Sequence, residues 1–90
     1  MITSRQVRAA RALLGWTQET LADRALVALT ALKRLESERH EVREATREAV
    51  HRALEAAGIT FVSSGRTKGV MLNEAGGTRN DGERRGGNQP

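Results

Sequence analysis

The stretch that decides the fold is residues 17–36, TQETLADRALVALTALKRLE. Small and apolar side chains recur in it at helical spacing on both sides of an interruption near residue 26. They are Leu21, Ala22 and Ala25 before the interruption, and Val27, Leu32 and Leu35 after it. The pattern predicts two short helices that fold back on each other across a corner of about three or four residues. Because this geometry places a helix in the major groove of DNA, the stretch indicates a DNA-binding regulator.

The size and composition of the chain restrict the function that it can have. Ninety residues form at most one small domain, which buries only about 60% of its unfolded surface, so a large shielded catalytic pocket is not expected. The absence of cysteine excludes a disulfide framework and a thiolate metal site. No apolar stretch approaches the roughly 18 residues that cross a bilayer, and residues 1–8 lack the apolar core of a secretion signal. We expect a soluble cytoplasmic protein that is not an enzyme and has no membrane partner.

The charge of the chain is moderately positive and unevenly distributed. Fifteen Lys and Arg residues against eleven Asp and Glu residues give a net charge of +4. Residues 73–90 are balanced, with three arginines against Glu74, Asp81 and Glu83, so the excess lies in residues 1–72. A positive field favours encounters with polyanions, but a modest excess is also common on ordinary soluble domains. Charge therefore supports DNA binding without establishing it.

Four helices are expected in all, at about residues 4–14, 17–25, 28–37 and 43–57. Thr3 and Gln6 have the spacing of a capping box at the start of the first helix. Gly15 and Gly58 stop the first and fourth helices, because glycine readily takes a positive φ. Residues 38–41 are polar and show no apolar periodicity, so they are predicted as a loop.

A short hairpin is expected after the helices. Ile59–Val62 and Val70–Leu72 are predicted as strands joined by a loop at 63–69. Because a lone two-stranded ribbon is marginal in water, it needs cover, either from the helices of its own chain or from a second subunit that pairs with its open edge. The second arrangement is favoured and would build a dimer. Residues 73–90 contain no large apolar residue and are predicted as a disordered tail.

The sequence resembles the Cro/repressor-type helix-turn-helix family, also called the XRE family, over about residues 4–57. The residues that carry the resemblance are Arg11, Leu13–Gly15, Thr17–Gln18, Leu21–Ala22, Val27, Leu32 and Leu35–Glu36. The stretch RAARALLGWTQETLA at 8–22 is especially similar to short bacterial XRE regulators that also end in a small β-hairpin. The resemblance implies a mainly α fold. A four-helix lambda-repressor-like helix-turn-helix domain at 1–57 would be followed by a hairpin at 58–72, as a possible dimerisation element, and by the tail.

The resemblance also implies functional roles by position. In that family the glutamine at the position of Gln18 starts the second helix against the DNA backbone, and the residues at the positions of Arg11 and Glu36 form a structural ion pair. The solvent-facing start of the third helix carries the expected base contacts, Leu29, Thr30, Lys33 and Arg34. The expected phosphate contacts are Thr17, Gln18, Arg39 and Arg43.

Simpler alternatives stand beside several of these assignments. For Lys33 and Arg34 the alternative is a solvated face or a contact with phosphate only. Leu29 has the alternative of an ordinary surface leucine or a protein contact, and Arg11 that of a phosphate contact. A catalytic role for Glu36 is rejected, because loss of one partner of the pair would leave a partly buried charge.

The sequence departs from the family pattern at two positions. Leu26 stands where these proteins usually have a corner glycine, and Ala28 stands where a Ser or Thr often caps the third helix. If the corner keeps its left-handed residue, Leu26 carries strain of roughly 1 kcal/mol, and the missing cap costs about as much. Leu26→Gly is therefore expected to raise thermal stability.

Two functions of different classes compete. The first is a transcription regulator, most simply a repressor that binds a palindromic operator as a homodimer. The second is an interaction module, an antitoxin whose hairpin or tail shields a toxin. An enzyme is the weakest option, because His40 and His51 lack metal-ligand spacing and Ser63–Gly65 lacks a base and the strand-turn-helix setting of a nucleophile. No cofactor or metal is expected.

Overall fold

A computed structural model describes residues 1–38 and 41–74. Its elements are α1 (Ser4–Leu14), α2 (Gln18–Ala25), α3 (Leu29–Ser37), α4 (Glu44–Ala56), β1 (Ile59–Ser64) and β2 (Thr67–Leu72). The predicted fold class, four helices followed by a β-hairpin, is confirmed, and the four helices lie within one residue of their predicted bounds. Arg39, His40 and residues 75–90 of the predicted tail lie outside the described residues.

The ends of α1 are fixed by side chains of its own sequence. Thr3 Oγ1 accepts a hydrogen bond from the Gln6 backbone N at 3.1 Å, and Gln6 Oε1 accepts one from the Thr3 backbone N at 3.0 Å. This is the reciprocal capping box that the sequence predicts. Gly15 has a φ of 70°, and the Trp16 N bonds the Arg11 carbonyl at 3.0 Å, which ends the helix. Both predicted signals of α1 are thus confirmed.

The core lies where α1, α2, α3 and α4 meet. Its largest fully buried side chains are Val7, Leu21, Leu32, Leu35, Val50 and Leu54. Each contributes about 1.5–3 kcal/mol by leaving water, so this cluster rather than helix propensity stabilises the short helices. Ala22 is 5% exposed on α2, at the face that packs against neighbouring helices. The core therefore holds α2 and α3 in a fixed relation to each other.

The corner between α2 and α3 keeps the left-handed conformation although it has no glycine. Leu26 has a φ of 58° and a ψ of 43°, and its neighbour Val27 N bonds the Ala22 carbonyl at 3.0 Å. The Leu26 side chain is 91% exposed. Ala28, the N-cap of α3, supplies no side-chain hydrogen bond. Both departures from the family pattern are therefore real features of this corner.

The hairpin corrects the sequence-based strand boundaries. The predicted loop at 63–69 is wrong, because β1 and β2 stay paired as far as Ser64 opposite Thr67. Only Gly65 and Arg66 form the turn, and Gly65 has the positive φ, 59°, that a two-residue hairpin turn needs at its first position. The residues at this end of the hairpin are polar and exposed, so they carry no apolar signal that would mark them as strand.

The inner face of the hairpin is covered by the helices of its own chain. Ile59 is buried, and Phe61, Val70 and Leu72 pack against the core. From α1, Gln6 Nε2 donates to the Val62 carbonyl at 3.0 Å and to the Gly69 carbonyl at 2.9 Å, so one amide ties both strands to the first helix. Of the two kinds of cover considered for the hairpin, the structure therefore contains the intramolecular one.

The base of the hairpin extends one residue beyond β2. Asn73 N donates to the Gly58 carbonyl at 2.8 Å, so Asn73 continues the ladder into the segment predicted as a tail. Gly58 has a φ of 106°, and a Cβ there would lie 2.7 Å from the Asn73 carbonyl oxygen. Glycine is required at this position, both to end α4 and to admit the returning strand.

Candidate nucleic-acid interface

An exposed polar face runs along α3. Thr30, Lys33, Arg34 and Ser37 recur at steps of three and four residues, so they share one side of the helix, and all four are exposed. In the described part of the chain, no carboxylate lies within 4.0 Å of Lys33 or Arg34. The predicted contacts Thr30, Lys33 and Arg34 are thus brought together, and Ser37 joins them although sequence reasoning missed it. The signal in the sequence was its spacing of four residues from Lys33 and three from Arg34, which places it on the same face.

Leu29 differs from the other three expected base contacts. Its side chain is half-buried and packs against the hydrophobic core. It therefore lies at the edge of the exposed face rather than in its middle. An apolar side chain in that position can still present part of its surface to a methyl group.

The orientation of α3 is fixed by an ion pair with α1. Arg11 Nε and Nη2 each lie 2.8 Å from a carboxylate oxygen of Glu36, a bidentate arrangement, and Glu36 is only 4% exposed. The hydrogen bond to Glu36 raises the pKa of Arg11 above its ordinary value, and partial burial opposes this less strongly. Arg11 thus stays charged at neutral pH. Arg11 Nη1 also donates to the Trp16 carbonyl at 3.1 Å, which joins the α1–α2 connection to the same network.

The start of α2 is connected to the same carboxylate. Gln18 Nε2 donates to Glu36 Oε1 at 3.0 Å, so its amide group is held between α2 and α3. Thr17, the N-cap of α2, accepts from the Thr20 backbone N at 3.0 Å. The exposed Thr17 and the half-buried Gln18 therefore lie at the positive end of α2, where an anion is favoured.

The end of α3 has a second attachment that sequence reasoning missed. Arg8 Nη1 donates to the Glu36 backbone carbonyl, and Arg8 Nη2 lies 3.0 Å from Glu38 Oε2. Ser4 Oγ donates to the Leu35 carbonyl in the same region. Arg8 and Arg11 are three residues apart on one face of α1, and that spacing was the only signal in the sequence. The last turn of α3 is thereby fastened to α1 at several points.

The only tryptophan of the sequence lies at the entrance to α2. Trp16 is half-buried, and the guanidinium carbon of Arg24 lies 4.8 Å from the centre of its ring, a cation–π contact. The contact joins the residue before the N-cap of α2 to the last turn of that helix.

Comparison with known proteins adds the family to this geometry. The sequence model of a family described as helix-turn-helix matches residues 7–61. This chain belongs to the Cro/repressor-type helix-turn-helix family. The match begins within α1 and ends in the middle of β1, so it covers the α2–α3 motif, α4 and most of α1. No curated protein matches the chain.

Family membership gives the general function. As a Cro/repressor-type helix-turn-helix protein, the chain is a DNA-binding transcription regulator, of a family that is generally not enzymatic. In this helix-turn-helix protein α2 and α3 form the motif, with Leu26 at its corner. The exposed face of α3 is therefore the surface to examine for contact with bases.

His51 on α4 is the described histidine of this helix-turn-helix protein, and an acidic and an aromatic side chain lie beside it. Within 1–38 and 41–74, no three His, Asp or Glu side chains are grouped as they would be around a metal ion. His51 lies 3.2 Å from Glu55 and packs edge-on against Phe61, which is the environment of a helix-surface histidine. None of the helices in the same residues is long and apolar enough to span a bilayer.

Arg43, the remaining described candidate for phosphate contact, lies at the start of α4. It is exposed and occupies the N-cap position without a side-chain hydrogen bond. Arg34 and Arg43 line one open groove of about 470 Å³ together with Glu41. The groove connects the face of α3 with the beginning of α4. Arg39, the fourth candidate for phosphate contact, lies outside the described residues.

Proposed function

We propose that this protein is a sequence-specific regulator that represses transcription by binding a palindromic operator as a homodimer. The observation that carries the proposal is the exposed face of α3. Its two cations have no carboxylate partner in the described residues, on a helix that is fastened at several points. Cations kept unpaired on a rigid helix suit an anionic ligand that has hydrogen-bond acceptors at fixed positions.

Base readout on this face follows from the chemistry of its side chains. Lys33 and Arg34 donate to guanine O6 and N7, and the Thr30 hydroxyl donates or accepts. Leu29, at the edge of the face, packs on a thymine methyl. A good pairing discriminates between bases by about 1–3 kcal/mol, so two or three such contacts suffice for a specific half-site.

Phosphate contacts would fix the register of α3 in the groove. We assign them to Thr17 and Gln18 at the N-terminus of α2, and to Arg39 and Arg43 between α3 and α4. The hydrogen bond from Gln18 to the Glu36 carboxylate orients the Gln18 side chain from inside the protein. Each neutralised phosphate releases counterions, so the affinity should fall steeply as salt rises.

The homodimer is assigned to the hairpin. In the described residues, no backbone hydrogen bond joins either outer edge of the β1–β2 pair to another segment. Met71 is 57% exposed on the face of the hairpin away from the core. An open edge beside an exposed apolar side chain favours pairing with a second copy, because the resulting sheet satisfies the edge and buries the methionine.

The test of sequence-specific binding is selection of bound duplexes from a random pool. A palindrome with half-sites about one helical turn apart is expected. Placed across a promoter in a reporter strain, that palindrome should lower expression when the protein is present. Recovery of no shared sequence would contradict specific readout, and recovery of a single half-site would contradict the dimer.

A matched pair of variants tests the role of α3. Arg34→Ala should reduce the preference for the selected palindrome over random DNA by about tenfold or more, since it removes a base contact. Arg52→Ala removes the same charge from the exposed side of α4 and should leave the preference unchanged. Competition binding at fixed salt measures both. If Arg34→Ala weakens binding equally on all duplexes, Arg34 is a phosphate contact.

The antitoxin alternative requires the hairpin or the tail to bind a toxin. The inner face of the hairpin is already packed on the chain's own helices. We therefore rank it below repression. Neutralisation of a toxin encoded by the adjacent reading frame, lost on deletion of 75–90, would reverse this order.

A further inference from the structure

A second surface feature lies away from the exposed face of α3. The N-terminal segment, α1, the last turn of α3 and β2 enclose an open cleft of about 830 Å³. Leu35 is the residue of α3 that lines the cleft. It follows Thr30 by five residues, so it lies on the other side of that helix. The cleft is therefore distinct from the surface assigned to base contacts.

The walls of the cleft carry an excess of positive charge. Arg5, Arg47, Arg66 and Lys68 line it, against the single carboxylate of Glu38. That carboxylate is already 3.0 Å from Arg8 Nη2 and 3.8 Å from Arg5 Nε. In the described residues, no carboxylate lies within 4.0 Å of Arg47, Arg66 or Lys68. Three cations therefore line one concavity without an ion-pair partner in the described residues.

The local contacts of these cations hold two of them in place. Arg47 Nη1 donates to the Ile2 carbonyl at 2.9 Å, which fixes its guanidinium beside the N-terminal segment. Lys68 Nζ lies 2.6 Å from Ser63 Oγ, across the hairpin. Both bonds use only part of each group's donors, since a guanidinium has five and an ammonium three. The remaining donors are available to a ligand.

The lining of the cleft also has an apolar part. Ile2 and Leu35 are buried residues that border it, and Ala9 and Val70 lie on the α1 and β2 sides. Concave sites of about 300–1,000 Å³ that combine an apolar lining with a few converging polar groups are typical of small-ligand sites. The cleft has both components.

We propose that this cleft binds a small organic anion, with a phosphate or carboxylate group held by Arg66, Lys68 and Arg47 and an apolar body resting on Ala9 and Val70. The excess of cations selects the anionic group, and the apolar lining selects an organic body over an inorganic ion. The proposal does not depend on the operator or on repression, because the cleft lies apart from the face of α3 that would read bases.

The experiment is calorimetric titration of the full chain, without DNA and at constant ionic strength, with three probes. They are phenyl phosphate, inorganic phosphate and benzyl alcohol. Phenyl phosphate should bind about tenfold more tightly than inorganic phosphate, because its ring also leaves water. Benzyl alcohol should show no saturable binding. Equal affinity for phenyl phosphate and inorganic phosphate, or binding of benzyl alcohol alone, would overturn the proposal.

Variants locate the binding to this cleft. Arg66→Gln and Lys68→Gln each remove one charge at exposed positions of the hairpin, so both should fold. The double variant should bind phenyl phosphate about tenfold more weakly than the parent protein. Arg52→Gln removes an equal charge outside the cleft and should change nothing. An equal loss in Arg52→Gln, or no loss in the double variant, would show that no ligand is held here. If the double variant loses affinity for DNA while its affinity for phenyl phosphate is unchanged, these cations contact DNA instead.

Discussion

At the scale of single residues, the backbone of Leu26 carries conformational strain that the fold tolerates. A non-glycine residue in the left-handed region costs roughly 1–2 kcal/mol, and the 91% exposed side chain regains little of this by burial. Leu26→Gly relieves the strain but adds about 0.5–1 kcal/mol of unfolded-state entropy. We expect a net gain of about 0.5–1 kcal/mol, seen as a melting temperature roughly 3–6 °C higher in thermal unfolding.

The control for this prediction is Leu26→Ala. Alanine keeps the Cβ and hence the strain, but removes most of the exposed apolar side chain. Its melting temperature should stay close to that of the parent protein. If alanine stabilises as much as glycine, the cost at this corner comes from exposed apolar surface and not from the backbone.

At the scale of elements, the hairpin is attached to the helices through Gln6. The side chain is 4% exposed, and it serves the capping box of α1 and both strands at once. Gln6→Ala removes these bonds and should lower the free energy of unfolding by about 2–3 kcal/mol. Amide hydrogen exchange in β1 and β2 should accelerate more than exchange in α2 and α3, because the hairpin loses its tie to α1.

Thr3→Ala is the matched variant for Gln6. It removes the hydroxyl half of the capping box, at a cost of about 1 kcal/mol, and leaves both bonds to the strands in place. Hairpin exchange should then change no more than exchange elsewhere. A similar acceleration in both variants would mean that the cap of α1, and not the tie to the strands, protects the hairpin.

The contrast between α1 and the hairpin shows what could be predicted from the sequence. The helices were placed within one residue because caps, glycine stops and apolar stripes are local signals. The predicted strands are shorter than the observed ones because the polar residues near Gly65 carry no apolar alternation. Gln6 and Arg8 were missed as ties because their partners lie 56 and 28 residues away along the chain, as measured to Val62 and Glu36. Contacts of that kind appear only once the elements are packed.

At the scale of the whole molecule, the homodimer through the hairpin is the feature most open to test. Met71→Lys places a charge on each copy beside the proposed strand pairing. The dimer should weaken about tenfold or more, measured by analytical ultracentrifugation, because two like charges would face each other. Binding to an isolated half-site should persist, while binding to the palindrome loses its steep concentration dependence.

Leu13→Lys is the control for net charge. Leu13 is 47% exposed on α1, outside the hairpin, and its replacement adds the same charge. The dimer should be unaffected. If both lysine variants weaken association equally, general repulsion is responsible, and a dimer that survives in Met71→Lys would place the interface elsewhere.

The position of Trp16 gives this protein an intrinsic fluorescent probe. With one tryptophan and no tyrosine in the sequence, its ultraviolet emission comes from a single indole at the entrance to α2. The Arg24 guanidinium stacked on that ring makes the emission sensitive to the helix itself. Tryptophan fluorescence of the unmodified chain can therefore follow thermal unfolding, refolding and binding to a duplex at the start of the helix-turn-helix motif.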